Sequence, residues 1–130
     1  MTLVTRLDPW LPPLALMGLI FFLSAQPNLS SGLGTWDLVL RKGAHMTEYA
    51  LLTFLWWRVL RTKLASNTAA VKAAVAIAVA YSATDELHQS FVTGRHGSPV
   101  DVLIDAIGAL IAATLITRYV ATKRARQTAT

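Results

Sequence analysis

The fold is decided by an uncharged, strongly apolar segment, WLPPLALMGLIFFLSA at residues 10–25. It belongs to a run between Asp8 and Asp37 in which no residue is charged. Two prolines at positions 12 and 13 suit the first turn of a helix, and Trp10 is typical of a membrane interface. Because a bilayer core takes about 20 largely apolar residues per helix, the run predicts a hydrophobic membrane helix.

The whole chain has the same bias. Of its 130 residues, 54% are hydrophobic and only 15% are charged, whereas soluble chains carry about 25% charged residues. This composition excludes a disordered chain, and the absence of cysteine excludes a disulfide scaffold. The net charge of +5 accompanies a large apolar excess instead of a broad polar face. That combination favours a membrane protein with basic flanks over a nucleic-acid-binding protein.

Three further apolar stretches follow the first. Together they predict a single domain over residues 1–130, an all-α four-helix transmembrane bundle with helices at about 10–25, 43–60, 69–91 and 100–120. Residues 26–32 contain the break after the first helix, and residues 121–130 form a basic, frayed cytoplasmic tail. Two alternatives remain at this point: a soluble all-α bundle, and a signal peptide that places Arg6 before its apolar region and Ser24 near a cleavage site.

The distribution of charge predicts an orientation. If both termini are cytoplasmic, nine of the twelve cations lie on the cytoplasmic side: Arg6, Arg58, Arg61, Lys63, Lys72, Arg118, Lys123, Arg124 and Arg126. Only Arg41, Lys42 and Arg95 lie outside, as the positive-inside rule requires. Six of the seven acids lie at the opposite, outer end: Asp37, Glu48, Asp85, Glu86, Asp101 and Asp105. The rule does not explain this second asymmetry, which points to a site.

The spacing of the polar residues puts them on defined helix faces. Helix two carries one stripe, Lys42, His45, Glu48 and Tyr49. Helix three carries Tyr81, Asp85 and Gln89 at i, i+4 with Glu86 beside them, and helix four carries Asp101, Asp105, Gly108 and Ala112 on one face. A carboxylate in the bilayer costs at least ~2.5 kcal/mol and must face the bundle interior, a partner or water. We therefore expect a polar cavity open to the outside, above small residues that allow close packing: Ala73, Ala76, Ala80, Gly108 and Ala112.

These motifs resemble those of the VanZ-like family of small integral membrane proteins. The resemblance covers residues 42–112 and rests on Lys42-x-x-His45-x-x-Glu48-Tyr49, Ser82-x-x-Asp85-Glu86-x-x-Gln89-x-Phe91 with Arg95 after it, and Asp101-x-x-x-Asp105-x-x-Gly108. Asp105 departs from the pattern, in which asparagine is expected. The resemblance implies a four-helix membrane bundle acting at the cell envelope, in a family named after a teicoplanin-resistance protein. It implies no particular reaction.

Three hypotheses describe the polar cluster. In the first, it binds the polar headgroup of an envelope lipid, a lipid-linked cell-wall precursor or a glycopeptide, through Lys42, His45, Glu48, Tyr49, Asp85, Glu86, Gln89, Arg95, Asp101 and Asp105. The catalytic candidates within that set are Glu48, Asp85 and Glu86 as general base and His45 as acid or shuttle. In the second, His45 and Glu48 hold a divalent metal such as Mg, Mn, Fe or Zn, with Asp85, Glu86, Asp101 and Asp105 available to complete the site. The chosen metal candidates are His45, Glu48, Asp85 and Asp101. In the third, the cluster is an ion-pair network that only fixes helix packing.

Other polar and aromatic residues have simpler interpretations. His88 and His96 are expected to face solvent, and Trp36, Trp56 and Trp57 to act as interface anchors. The basic clusters at 61–63 and 123–126 are interpreted as topology determinants next to anionic lipid, with no nucleic-acid partner. The expected location is the cytoplasmic (inner) membrane, as a multi-pass protein, and self-association into a homo-oligomer is compatible with the short helices.

Overall fold

The computed structural model describes residues 9–26 and 32–129. They form four helices: α1 (Leu11–Ser24), α2 (Thr35–Leu60), α3 (Asn67–Gln89) and α4 (Pro99–Thr128). Every regular element in this part of the chain is a helix, which confirms the all-α class. Arg6 and Asp8, and the predicted break at positions 27–31, lie outside the described residues.

Two of the helix starts have side-chain caps. The hydroxyl of Ser66 accepts the backbone N–H of Ala69 at 3.1 Å before α3, and the hydroxyl of Ser98 accepts that of Val100 at 3.2 Å before α4. Each cap satisfies a helix N–H that has no partner within its own helix. Pro99 follows at the first position of α4, where its missing N–H costs nothing. These local signals define the loops on either side of α3.

The helix bounds differ from those predicted, most at two places. The second helix begins at Thr35 instead of residue 43, since Gly34 with φ 60° turns the chain and Asp37 in the first turn favours the positive helix end. The fourth helix continues to Thr128, through the segment predicted to be frayed. Residues 121–128 contain alanine, lysine, arginine and glutamine, which are strong helix formers. The basic tail is therefore a direct extension of α4.

The core lies between α2, α3 and α4, and α1 packs against α2 and α3. Alanines at positions 70, 74 and 78 of α3 are fully buried there. The predicted stripe of Ala73, Ala76 and Ala80 was wrong, since Ala76 and Ala80 are exposed. The buried face repeats every fourth residue and continues into the buried polar residues Ser82 and Glu86. Polar residues at the end of α3 therefore share a face with its apolar packing stripe.

The expected close packing on α4 is present. Gly108 is buried against the backbone of Met46 on α2, and a Cβ at this glycine would overlap the Met46 carbonyl oxygen. Ala112 is also buried on the same face. Only a residue without a side chain allows the two backbones to approach this closely.

The tryptophans differ from their expected role. Trp56 and Trp57 lie in the core, while Trp36 is 70% exposed. The indole Nε1 of Trp57 donates to Asn67 Oδ1 at 2.8 Å, which ties the end of α2 to the start of α3. Asn67 thus satisfies the indole N–H of Trp57, whereas the indole N–H of Trp56 has no hydrogen-bond partner among the described residues. Trp36 alone of these three retains the exposed position of an interface anchor.

Large apolar side chains cover much of the outer surface, among them Leu11, Leu14, Phe22, Leu103, Leu110 and Leu115. Within the described residues, one helix, α4, is long and apolar enough to cross a membrane on length and composition. The first helix is apolar but has only 14 residues. The other two helices carry charged residues within their apolar stretches.

Candidate functional site

An ion-pair ladder connects α2 with α4 at the end of the bundle where α4 begins. Lys42 pairs with Asp101 in a half-buried salt bridge. One helical turn further into the bundle, His45 Nδ1 lies 3.3 Å from Asp105 Oδ1, an ion pair when His45 is protonated. The i, i+3 spacing on α2 and the i, i+4 spacing on α4 produce these two levels. Both predicted faces therefore point at each other.

The third helix completes the inner level. The Ser82 hydroxyl donates to Asp105 Oδ2 at 2.6 Å, and the Asp105 side chain is fully buried. Its other oxygen, Oδ1, has no hydrogen-bond partner among the described residues, and neither has His45 Nδ1. A buried polar atom without a partner costs about 1–3 kcal/mol. A proton on His45 Nδ1 would give both atoms a partner, because they lie only 3.3 Å apart.

Gln89 connects the acids of α3 with α1. Its Nε2 lies within donor distance of Asp85 Oδ2 at 3.2 Å and of the Ser24 hydroxyl at 3.3 Å, with Glu86 Oε1 further away at 3.5 Å. All four side chains are buried. The i, i+4 repeat at 85 and 89 was visible in the sequence, whereas the contact with Ser24 depends on how α1 packs. The network holds the end of α1 against α3.

The loop after α3 folds back on Glu86. The backbone N–H of Ser98 donates to Glu86 Oε2 at 3.0 Å. Next to it, a Cβ at Gly97 would overlap the Glu86 carbonyl oxygen, so the loop passes close to the helix end. Glu86 thus joins the start of α4 to the polar cluster.

A cavity of about 420 Å³ opens beside the ladder, between α1 and α2. Its polar lining comes from Ser24, Asp37, Arg41, His45, Glu48 and Arg95, and its apolar lining from Ile20, Leu23, Leu40 and Ala44. Arg95 reaches across it to the backbone carbonyl of Gln26, with an N–O distance of 3.4 Å. His45 belongs to both the cavity and the ladder. The cavity is thus amphipathic and connected to the buried acids through one side chain.

The residues that could hold a metal differ from those predicted. Among the described residues, His45, Glu86 and Asp105 bring ligand atoms within 4.8 Å of one another. Glu48, Asp85 and Asp101 are not part of this group. Asp101 pairs with Lys42, Asp85 accepts from Gln89, and Glu48 lines the cavity. Which residues come together depends on how the helices are rotated relative to one another. The spacing of residues along one helix does not reveal that rotation.

The remaining predicted residues have distinct environments. Tyr49 is fully buried next to Tyr81, with ring centroids 6.5 Å apart, and its hydroxyl has no hydrogen-bond partner within the described chain. His96 is exposed, as expected. His88 is partly buried and stacks on Phe21 of α1 with ring centroids 4.3 Å apart. Neither of these two histidines contributes to the ladder.

Two serines belong to the cluster without having been chosen as site residues. Ser82 was part of the quoted motif, and its i+3 spacing to Asp85 on the polar face was the signal that it would be buried. Ser24 is the last residue of the apolar helix α1, and no other polar residue of that helix lies at helical spacing from it to indicate a polar face. Its contact with Gln89 comes from tertiary packing alone.

These features define a class: a small all-helical protein that buries acids and a histidine between helices with apolar outer surfaces. The family model VanZ/LLP1 matches residues 9–121, and the chain belongs to this family. The match extends beyond the motifs at 42–112 to include α1. A comparison with curated proteins found no similar protein, and a comparison with solved structures found no similar structure.

Proposed function

We propose that the protein is a multi-pass inner-membrane protein whose amphipathic cavity binds the polar headgroup of an envelope lipid or lipid-linked cell-wall precursor at the outer face. The observation that carries this proposal is the mixed lining of the cavity. Arg95 offers a guanidinium group for a phosphate or carboxylate, whereas Arg41 is paired with Asp37 at 2.7 Å. Apolar residues of α1 and α2 lie beside Arg95 in the lining. An amphiphile with an anionic head matches both parts.

The exposed apolar surface supports membrane insertion. Side chains such as Leu110 and Leu115 on α4 are more than half exposed, although water would disfavour them. Uncharged stretches at 73–84 on α3 and 106–117 on α4 each measure about 18 Å at 1.5 Å per residue. Each has acids at one end and a cation at the other, so the charges lie at matched depths in antiparallel helices. Each stretch is shorter than the hydrocarbon core of about 30 Å, so an inserted bundle keeps Asp85 and Asp105 inside the bilayer, where both are buried between helices.

Cysteine accessibility tests the orientation, because the chain has no cysteine of its own. Thr93 and Ala65 are exposed loop residues at opposite ends of α3. In intact cells, Thr93→Cys should react with a membrane-impermeant maleimide, and Ala65→Cys should react only after lysis. If Ala65→Cys reacted in intact cells and Thr93→Cys only after lysis, the cavity would lie on the cytoplasmic side. That result would contradict a site at the outer face.

Ligand binding tests the site itself. The purified protein would be titrated in micelles with a polyprenyl diphosphate and, separately, with teicoplanin. Arg95→Gln should weaken diphosphate binding by about tenfold or more, since a charge-assisted hydrogen bond contributes ~1.5–3 kcal/mol. Lys72→Gln, at the opposite end of α3, is the control and should bind as the wild type does. Equal binding by all three proteins would contradict the proposal.

A resistance assay connects the site with the cell. In a teicoplanin-susceptible host, expression should raise the inhibitory concentration of teicoplanin, and Arg95→Gln should abolish the increase at unchanged protein abundance. A loss of resistance in proportion to a loss of protein would instead support a cluster that only fixes helix packing. Arg95 is suited to this test because it lines the cavity, and its hydrogen bond to the Gln26 carbonyl is not part of the buried cluster described above.

A metal-dependent activity is the second candidate, favoured by the group formed by His45, Glu86 and Asp105. The unpartnered oxygen of the fully buried Asp105 points to His45 within it. Ligands of one tetrahedral ion, each bonded at about 2.0–2.2 Å, lie closer together than 4.8 Å, so the three side chains would have to move inward for all three to bind. Titration with Mn²⁺ or Zn²⁺ should show one equivalent bound by wild type and by Asp101→Asn, and none by Glu86→Gln. Equal uptake by both variants would exclude this group as the site.

A further inference from the structure

A second concave region lies at the other end of the bundle, far along α4 from the acids. A cavity of about 460 Å³ is lined by the end of α2, the loop before α3 and the last turns of α4. It adjoins a cavity of about 390 Å³ on the side of the bundle. Both include Trp57, Arg61 and Tyr119 in their linings, so we treat them as one feature, the basic groove.

The two parts of the basic groove differ in chemistry. The mouth at the helix ends carries Arg61, Lys123 and Arg124. The part along the bundle is mainly apolar, with Phe54, Leu115, Ile116 and Tyr119 next to Arg58. Neither lining contains a carboxylate. A ligand that matches both parts has an anionic head and an apolar tail.

Packing holds one cation of the groove in position. The guanidinium of Arg61 lies over the ring of Trp57, with its Cζ 4.9 Å from the centroid. That ring is buried and is fixed by its hydrogen bond to Asn67. On α4, Tyr119 and Lys123 are four residues apart and share a face. The groove therefore differs from a basic tail that is simply solvated, because aromatic side chains set its shape.

We propose that the basic groove binds an anionic phospholipid of the cytoplasmic leaflet. The phosphate lies between Arg61, Lys123 and Arg124, and one acyl chain follows the apolar part past Leu115. Basic pockets between membrane helices on this side are suited to anionic headgroups. The inference depends on the membrane placement proposed above but not on any ligand of the outer cavity. It assigns the basic end a defined binding site in addition to its role in topology.

Native mass spectrometry of protein released from vesicles of phosphatidylglycerol and phosphatidylcholine tests the inference. Lys123→Gln/Arg124→Gln should lower phosphatidylglycerol affinity by about tenfold to thirtyfold. Arg118→Gln/Arg126→Gln removes the same charge from exposed positions of α4 outside both linings and should bind as the wild type does. Equal losses in the two double variants would mean general charge attraction and would overturn the proposal.

Two further arms separate the parts of the ligand. Leu115→Trp should fill the apolar part of the groove and reduce lipid binding while leaving the cations in place. Unchanged binding would contradict the proposal that an acyl chain lies in this part. Inorganic phosphate at millimolar concentration should not displace the lipid, and full displacement would make the site one for free phosphate. The loss of phosphatidylglycerol affinity caused by Lys123→Gln/Arg124→Gln should be equally large in the Arg95→Gln variant, because Arg95 lines the outer cavity and neither part of the basic groove. That variant distinguishes failure of this inference from failure of the outer site.

Discussion

The two ends of the bundle carry charge in opposite ways. At the end with the acids, polar groups are buried and bond to one another, as Ser82 does to Asp105 and Gln89 does to Ser24. At the basic end, the cations Lys123 and Arg124 are exposed on a helix that continues past the packed core.

The difference shows which charges determine the packing. A buried carboxylate is tolerated only if its partners come from neighbouring helices, so it fixes how those helices are rotated. An exposed lysine or arginine is solvated without a protein partner, so it does not constrain how the helices are rotated. Mutations at the acidic end should therefore affect stability, whereas those at the basic end should mainly affect what binds there. The four predictions below test that contrast.

The largest effect is expected for Asp105→Ala, which removes the acceptor of Ser82 and the neighbour of His45. We expect a loss of about 3–5 kcal/mol in the free energy of unfolding, measured by denaturant titration in micelles. Asp105→Asn, the residue expected in the family pattern, keeps an acceptor for Ser82 and should lose clearly less. If Asp105→Ala were as stable as the wild type, the buried acids would not determine the stability of this end of the bundle.

Close backbone packing at the acidic end gives the next effect. Gly108→Ala places a Cβ against the Met46 carbonyl oxygen and should cost about 1–3 kcal/mol, seen as a lower thermal midpoint. Gly43→Ala is the matched control, because its added Cβ meets no atom within 4 Å. In a helix that change should be neutral or slightly stabilising. Equal midpoints for the two variants would show that the helices do not approach as closely as described.

At the basic end, removal of a helix cap should have a smaller effect. Ser66→Ala deletes the acceptor of the Ala69 N–H and should cost about 1 kcal/mol in the same denaturant titration. Ser66→Asp, which retains a capping oxygen, should restore most of the loss. If Ser66→Ala destabilised the protein as much as Asp105→Ala, the two ends would not differ in the way proposed.

The smallest effect is expected at the outer level of the ladder. Lys42 and Asp101 are only half buried, and such pairs contribute about 0–1 kcal/mol. A double-mutant cycle with Lys42→Met and Asp101→Asn measures that coupling directly. A coupling well above this range would extend the tightly packed region one turn further outward.

Much of the cluster could be predicted because helix periodicity is a local property. The stripe at Lys42 and His45 and the face at Asp105 and Gly108 follow from spacings of three and four residues, and the two face each other between α2 and α4. The close packing at Gly108 was expected for the same reason. Residue spacing therefore indicated correctly which side of each helix is polar.

Contacts between helices were less predictable, because they depend on relative rotation and depth. The group of possible metal ligands combines His45 with Glu86 and Asp105, and it omits the chosen candidates Glu48, Asp85 and Asp101. Neighbouring residues on a helix point about 100° apart. Ser24 joins Gln89 only through the packing of α1. The start of α2 at Thr35 was missed because the charges at 37–42 outweighed the apolar residues between them. Each of these depends on tertiary structure and not on local pattern.

The hydrogen bonds of α1 have a consequence for biosynthesis. Ser24 meets Gln89, 65 residues later in the chain, and the Met17 carbonyl accepts the Tyr81 hydroxyl, 64 residues later. At about 5–20 residues per second, the ribosome needs roughly 3–13 seconds to make that length. During this interval the first helix exists without these two hydrogen-bond partners. Assembly of the polar end therefore begins only when the third helix arrives.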